Sequence, residues 1–161
     1  MRRAVYAGSF DPVTYGHLDL IARGLGIFDE IIVALGNNVR KKYTLPLATR
    51  REVLGRVLAP HGERVRIDAF DGLLVDYCRR IEATVILRGL RAVTDFEFEF
   101  TTGLANKDMA PGVETVFLLT DPRHIFVSST LIKEIATMGG DVSRYIPPEA
   151  LAALRAHLPA A

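Results

Sequence analysis

Three stretches of this chain carry side chains suited to gripping phosphate, and a fourth carries a run of positive charge. In Ala7-Gly8-Ser9-Phe10-Asp11-Pro12, Gly8 lets the backbone approach an anion closely and Ser9 adds a hydroxyl donor. His17 closes the Thr14-Tyr15-Gly16-His17 turn that follows, where an imidazole can donate to a phosphate oxygen. Arg88-Gly89-Leu90-Arg91 places two guanidinium forks around a glycine, a pattern that can hold two phosphates if the chain bends between them. Phe126-Val127-Ser128-Ser129-Thr130 leads into a helix whose first N–H groups and flanking hydroxyls form another anion site. Each stretch also has a plainer reading. These are a tight turn, a half-exposed surface histidine, a solvated loop whose arginines pair with Asp95 or Glu97, and an ordinary Ser/Thr cap. Arg40-Lys41-Lys42 reads by itself as a solvated loop.

The surrounding elements would bring these stretches to one edge. Short β-rich runs at 4–7, 30–35, 65–70, 84–88 and 115–119 alternate with helix-period segments, which favours a parallel α/β fold. The expectation is a Rossmann-like, doubly wound, five-stranded parallel sheet with helices on both faces, built as one domain over 1–161. Ile31-Ile32-Val33-Ala34-Leu35, Val85-Ile86-Leu87 and Val116-Phe117-Leu118-Leu119 are continuously apolar, as strands covered on both faces should be. Leu18, Ile21, Ala22 and Leu25 place one apolar stripe on a helix starting near Gly16 or His17, where the dipole favours an anion. Further helices are expected over 73–81, 94–107 and 129–138, the last stopped by Gly139-Gly140, with a terminal helix opened by Pro147-Pro148-Glu149. The loop from Asn37 to Pro46 is expected to be mobile. Ligands of open α/β sheets bind beyond the carboxyl ends of the strands, where strand order reverses, and each candidate stretch follows a predicted strand.

Composition narrows the partners. Twenty basic residues against nineteen acidic leave a formal charge of +1, so no overall field draws the chain to nucleic acid or an anionic membrane. No apolar run approaches the roughly 18 residues needed to span a bilayer. The single cysteine, Cys78, cannot form an internal disulfide, and no signal-peptide stretch opens the sequence; both favour a cytoplasmic protein. Four scattered histidines and one cysteine offer no metal-ligand spacing.

The first loop, with its glycine, small hydroxyl residue and Thr-Tyr-Gly-His turn, resembles the adenylyl- and cytidylyltransferase superfamily. Thr14 is the variant of that turn found in the phosphopantetheine adenylyltransferases of coenzyme A synthesis. Arg88 to Glu99, running Arg-Gly-Leu-Arg-Ala-Val-Thr-Asp-Phe-Glu-Phe-Glu, is similar to that family's most distinctive stretch. Val127-Ser128-Ser129-Thr130 with Lys133 resembles the superfamily's second motif. The resemblance runs from Ala4 to Pro147, with Ala7, Ser9 and Tyr15 standing where proline, threonine and asparagine are common.

The resemblance implies transfer of the adenylyl group of ATP to 4′-phosphopantetheine, giving dephospho-coenzyme A and pyrophosphate. It implies that His17, Lys41 and Arg91 are catalytic. It also implies that Ser9, Phe10, His17, Gly89, Leu90, Arg91, Glu99 and the run His124, Ile125, Phe126, Val127, Ser128, Ser129 and Thr130 face ATP. Ser9, Lys41, Leu73, Leu74 and Arg88 would face the acceptor, although the two leucines can equally be core. Mg²⁺ would ride on the ATP phosphates, and the assembly would be a homohexamer made of two trimers. Phe96, Phe98 and Phe100 could supply contacts for it or belong to the core. The nearest rivals are sister enzymes that use nicotinamide mononucleotide or glycerol phosphate as acceptor, and a non-catalytic nucleotide sensor.

Overall fold

The structure, a computed structural model, describes residues 1–38 and 40–158, with Val93 and Thr94 described through their backbone alone. Five strands, β1 (Arg3–Gly8), β2 (Glu30–Gly36), β3 (Val65–Phe70), β4 (Val85–Leu90) and β5 (Glu114–Leu119), form one sheet in the order β3-β2-β1-β4-β5. Every pairing is parallel, with Ala4 opposite Ile31, Ile31 opposite Val65, and Val5 opposite Ile86. Strand order therefore reverses between β1 and β4, and a crevice opens there at the carboxyl ends.

The period-two rule of a strand divides the core. Ala4, Tyr6, Ile31, Val33 and Leu35 pack into one apolar layer with Leu20, Ile21, Leu54, Ile132 and Ile146. Val5, Ala7, Ile32 and Ala34 face the other layer, with Val75, Tyr77 and Cys78. The helices covering the sheet are α1 (Tyr15–Gly24), α2 (Leu47–Leu58), α3 (Leu74–Arg80), α4 (Val93–Met109), α5 (Ser129–Thr137) and α6 (Pro148–His157). Two 3-10 turns lie at Ala59–Arg64 and Pro122–His124.

The doubly wound fold expected from the residues is the one observed, with three informative differences. Helix α2 goes unread in the sequence because its buried stripe of Val53, Leu54 and Leu58 is interrupted by Arg50, which is itself buried. Helix α1 starts at Tyr15, two residues before His17, because Thr14 caps it. Finally, β4 extends through Leu90, so no bend separates Arg88 from Gly89 and Leu90. Gly89 lets β4 pack closely on α1: a Cβ there would lie 2.5 Å from Leu20 Cδ1 and would have to displace the end of that side chain, at the point where strand order reverses.

Candidate active site

Two cavities flank the carboxyl end of β1 and share Ala7, Gly8 and Arg88 as their common wall. The smaller, about 250 Å³, is lined by His17, Gly89, Arg91, Asp95, Glu99, Thr120, His124, Val127, Ser128 and Ser129, with Tyr6, Thr14, Gly16 and Leu20 completing it. The larger, about 1100 Å³, lies beyond β2 and β3 and is lined by Ser9, Lys41, Leu73 and Leu74 together with Gly36, Asn37, Asn38, Arg40, Tyr43, Phe70, Asp71 and Gly72.

His17 is fixed by the start of its own helix. The Thr14 backbone N–H donates to His17 Nδ1 at 3.0 Å, and the His17 N–H donates back to Thr14 Oγ1 at 3.4 Å, a reciprocal capping box. A backbone N–H can only donate, so Nδ1 must be the acceptor and the ring proton belongs on Nε2. Burial, with the positive charges of Arg91 and Arg88, lowers the imidazole to about 4. At neutral pH the ring is thus an uncharged donor in the cavity wall. Phe10, held at φ +47°, turns its ring into the core edge-on to His17, with centroids 5.1 Å apart, and backs the imidazole rather than lining the cavity.

Arg88 on β4 and Arg91, one residue past the strand's end, are each clamped. Arg88 grips Glu99 with Nη2 to Oε1 at 2.5 Å and Nε to Oε2 at 2.8 Å, and donates through Nη1 to Ala7 O at 3.0 Å. Arg91 donates to both oxygens of Asp95 at 2.9 and 3.3 Å and to Val127 O at 3.1 Å. Fork-to-carboxylate pairing fixes the plane of each guanidinium. Pairing of these arginines was the plainer reading of the stretch; the partners are Asp95 and Glu99. Both pairs lie in the cavity wall, so the solvated-loop half of that reading fails.

In the larger cavity, next to Gly8 of the shared wall, Lys41 Nζ donates to Ser9 Oγ at 2.9 Å, which brings the loop after β2 onto the loop after β1. Ser128 caps α5 by accepting from the Leu131 N–H, while Ser129 Oγ donates to Pro12 O at 2.8 Å and ties the second motif to the first. Leu73 is half exposed and lines the larger cavity, whereas Leu74 both lines it and packs against the core layer of Val75, Tyr77 and Cys78. Leu90, Ile125, Phe126 and Thr130 line neither cavity; Phe126 packs edge-on to Tyr145.

Sequence reading missed Tyr6, whose buried hydroxyl is held well above its ordinary range and so stays protonated in the cavity wall. It also missed Asp11, which is 2% exposed. Burial alone would raise this carboxyl, but the Lys133 bond at 2.9 Å and the N–H groups of Thr44 and Leu45 outweigh it and hold it low. Only the position of Asp11 within the first motif hinted at a role.

A family model described as cytidylyltransferase-like matches residues 5–135. The chain is 49% identical over 155 residues to the phosphopantetheine adenylyltransferase of Shouchella clausii, covering 96% of this chain and 97% of the relative. It is 48% identical to the enzyme of the same name from Streptomyces coelicolor, over 98% of each chain. The chain belongs to the cytidylyltransferase-like family and, within it, to the phosphopantetheine adenylyltransferases. A relative with that name from Dictyoglomus thermophilum shares 51% identity over 91% of this chain and 89% of its own. Among solved structures, one from Vibrio parahaemolyticus, provisionally described as a nicotinate-nucleotide adenylyltransferase, superposes with a TM-score of 0.69 over 96% of this chain and 99% of its own. At 18% identity it speaks for the fold alone.

Proposed function

We propose that the protein transfers the adenylyl group of ATP to 4′-phosphopantetheine, forming dephospho-coenzyme A and pyrophosphate. The observation that carries this reading is the pair of cavities meeting at Gly8 and Arg88. One is small and lined by fixed donors, as a nucleotide needs. The other is large and partly apolar, as a long flexible acceptor needs. The names of the relatives supply the acceptor.

In the reaction, an oxygen of the acceptor phosphate forms a bond to the α-phosphorus of ATP while the bond to the bridging oxygen breaks and pyrophosphate departs. A phosphate monoester is largely dianionic near neutral pH, so no side chain need remove a proton. Catalysis reduces to bringing two anions into line and stabilising the charge at the α-phosphate. His17 donates from Nε2, Arg91 and the Ser128-Ser129 helix start hold the nucleotide phosphates, and Lys41 with Ser9 spans the two substrates at the junction. Arg88, held by Glu99 in the shared wall, faces the acceptor, while Glu99 itself lines the nucleotide cavity. Asp95 and Glu99 are both committed to arginines and Asp11 to Lys133. That favours Mg²⁺ arriving with ATP as the substrate's own counter-ion.

No helix among the described residues is long and apolar enough to cross a membrane. A homohexamer fits the exposed Phe96, Phe98, Phe100 and Leu104 on α4, which one chain leaves uncovered, and the lone, buried Cys78 fits a cytoplasmic setting. Sedimentation at micromolar concentration checks the assembly. Incubating the protein with ATP, Mg²⁺ and, in turn, phosphopantetheine, nicotinamide mononucleotide or glycerol phosphate tests the function. Pyrophosphate is expected with phosphopantetheine only, and release with another acceptor alone, or with none, overturns the reading.

A further inference from the structure

Arg50 belongs to neither cavity, yet it is 1% exposed and ranks among the largest wholly buried side chains. Burying a guanidinium is costly unless its charge is matched. None of the ion pairs among the described residues includes Arg50. A methionine at this place on α2 would occupy similar space without that cost. What methionine could not do is grip two loops at once. Arg50 Nη1 donates to Ser9 O at 2.8 Å, on the loop after β1, and Nε donates to Leu45 O at 3.0 Å, on the loop after β2.

The same guanidinium lies over the Tyr43 ring, 4.0 Å from its centroid. Tyr43 in turn donates its hydroxyl proton to Gly36 O at 3.0 Å and accepts the Asn38 N–H at 3.0 Å. Arg50 is thereby connected to both ends of the segment that carries Lys41, and directly to the backbone of Ser9. Lys41 Nζ meets Ser9 Oγ at 2.9 Å between those ties.

Building on the adenylyl-transfer reading above, we propose that Arg50 is a positioning residue for the reaction: it locks the Ser9 loop to the Lys41 loop so that the lysine ammonium is held where the two cavities meet. A side chain that acts only by stabilising the fold costs the same whether or not Lys41 is present. One that acts through Lys41 has nothing left to lose once the lysine is gone.

The test is a double-mutant cycle in the pyrophosphate-release assay with ATP and phosphopantetheine, on the full chain. Arg50→Lys keeps the charge but loses the fork. It is expected to lower kcat about tenfold in the wild-type background and by less than about twofold in the Lys41→Ala background, with KM for ATP unchanged. Tyr43→Phe keeps the ring under the guanidinium but frees Gly36 and Asn38. It should lower kcat by about threefold in the first background and leave it unchanged in the second. Arg50→Met fills similar space without gripping either loop and should show the same pattern as Arg50→Lys, so it decides the matter if Arg50→Lys fails to fold. Equal losses in the two backgrounds, no loss in either, or a Lys41→Ala protein with wild-type turnover would overturn the proposal. Failure of the wild-type protein to release pyrophosphate would instead overturn the adenylyl-transfer reading beneath it.

Discussion

The two cavities on either side of Gly8 are held in different ways. On the nucleotide side, the donors are fixed by partners of their own: Arg91 by Asp95 and Val127 O, His17 by the Thr14 backbone, and Arg88, in the wall common to both cavities, by Glu99. On the acceptor side, the walls come largely from the loops after β2 and β3. Lys41 rests on one hydroxyl, Asn37 bonds Asp71 across the rim, and Leu73 stands half exposed. The difference follows from the work each side does. Stabilising charge in a transition state needs dipoles already in place, because reorienting them during reaction forfeits the gain. Seating a long, flexible acceptor needs room and apolar surface, and tolerates looser walls.

Predictions from this contrast run from large to small. His17→Ala should break the nucleotide side outright, lowering kcat by roughly 10²-fold with the fold intact by circular dichroism; wild-type turnover would remove His17 from the mechanism. Arg88→Ala should raise KM for phosphopantetheine by roughly tenfold, since the lost contact is to a charged group, and should move KM for ATP less. An unchanged acceptor KM would place Arg88 wholly on the nucleotide side.

A third prediction concerns pH. The His17 imidazole sits at about 4 in the folded chain against 6.5 for the free side chain. Below 6.5 the unfolded chain takes up a proton that the folded chain refuses, so this stabilisation is complete above 6.5 and fades as pH falls towards 4. His17→Gln keeps a capping-box acceptor that does not titrate. The melting temperature of wild type should therefore fall by a few degrees more than that of the variant between neutral and acid pH, and parallel curves would refute the neutral buried ring. The smallest effect belongs to Leu73→Ala, which should raise KM for phosphopantetheine by about threefold through lost apolar contact and leave KM for ATP alone.

Much of this was legible in the residues. The continuous apolar runs of β2 and β4 announced strands covered on both faces, and Gly139, at φ +80°, ends α5 where a left-handed stop was expected. Helix α2 was hidden because an arginine occupies a core position, which hydrophobic periodicity scores as surface. Phe10 and Tyr6 were equally opaque: one stands in the motif with its ring in the core, while the other stands in the strand with its hydroxyl beside the cavity.

By itself the sequence determined the parallel α/β architecture, the phosphate-handling stretches and, through Arg88 to Glu99, the family. Those properties reside in local pattern and spacing, which survive without coordinates. Tertiary structure alone decided that Arg88 pairs with Glu99 and not Glu97, that the His17 ring is a neutral Nε2 donor, and that Ser9 and Lys41 meet. It also decided that Arg50 is buried between two loops. Each of these depends on contacts between residues distant in the chain, or on the dielectric and charge around a single group, and neither is written in the spacing of side chains.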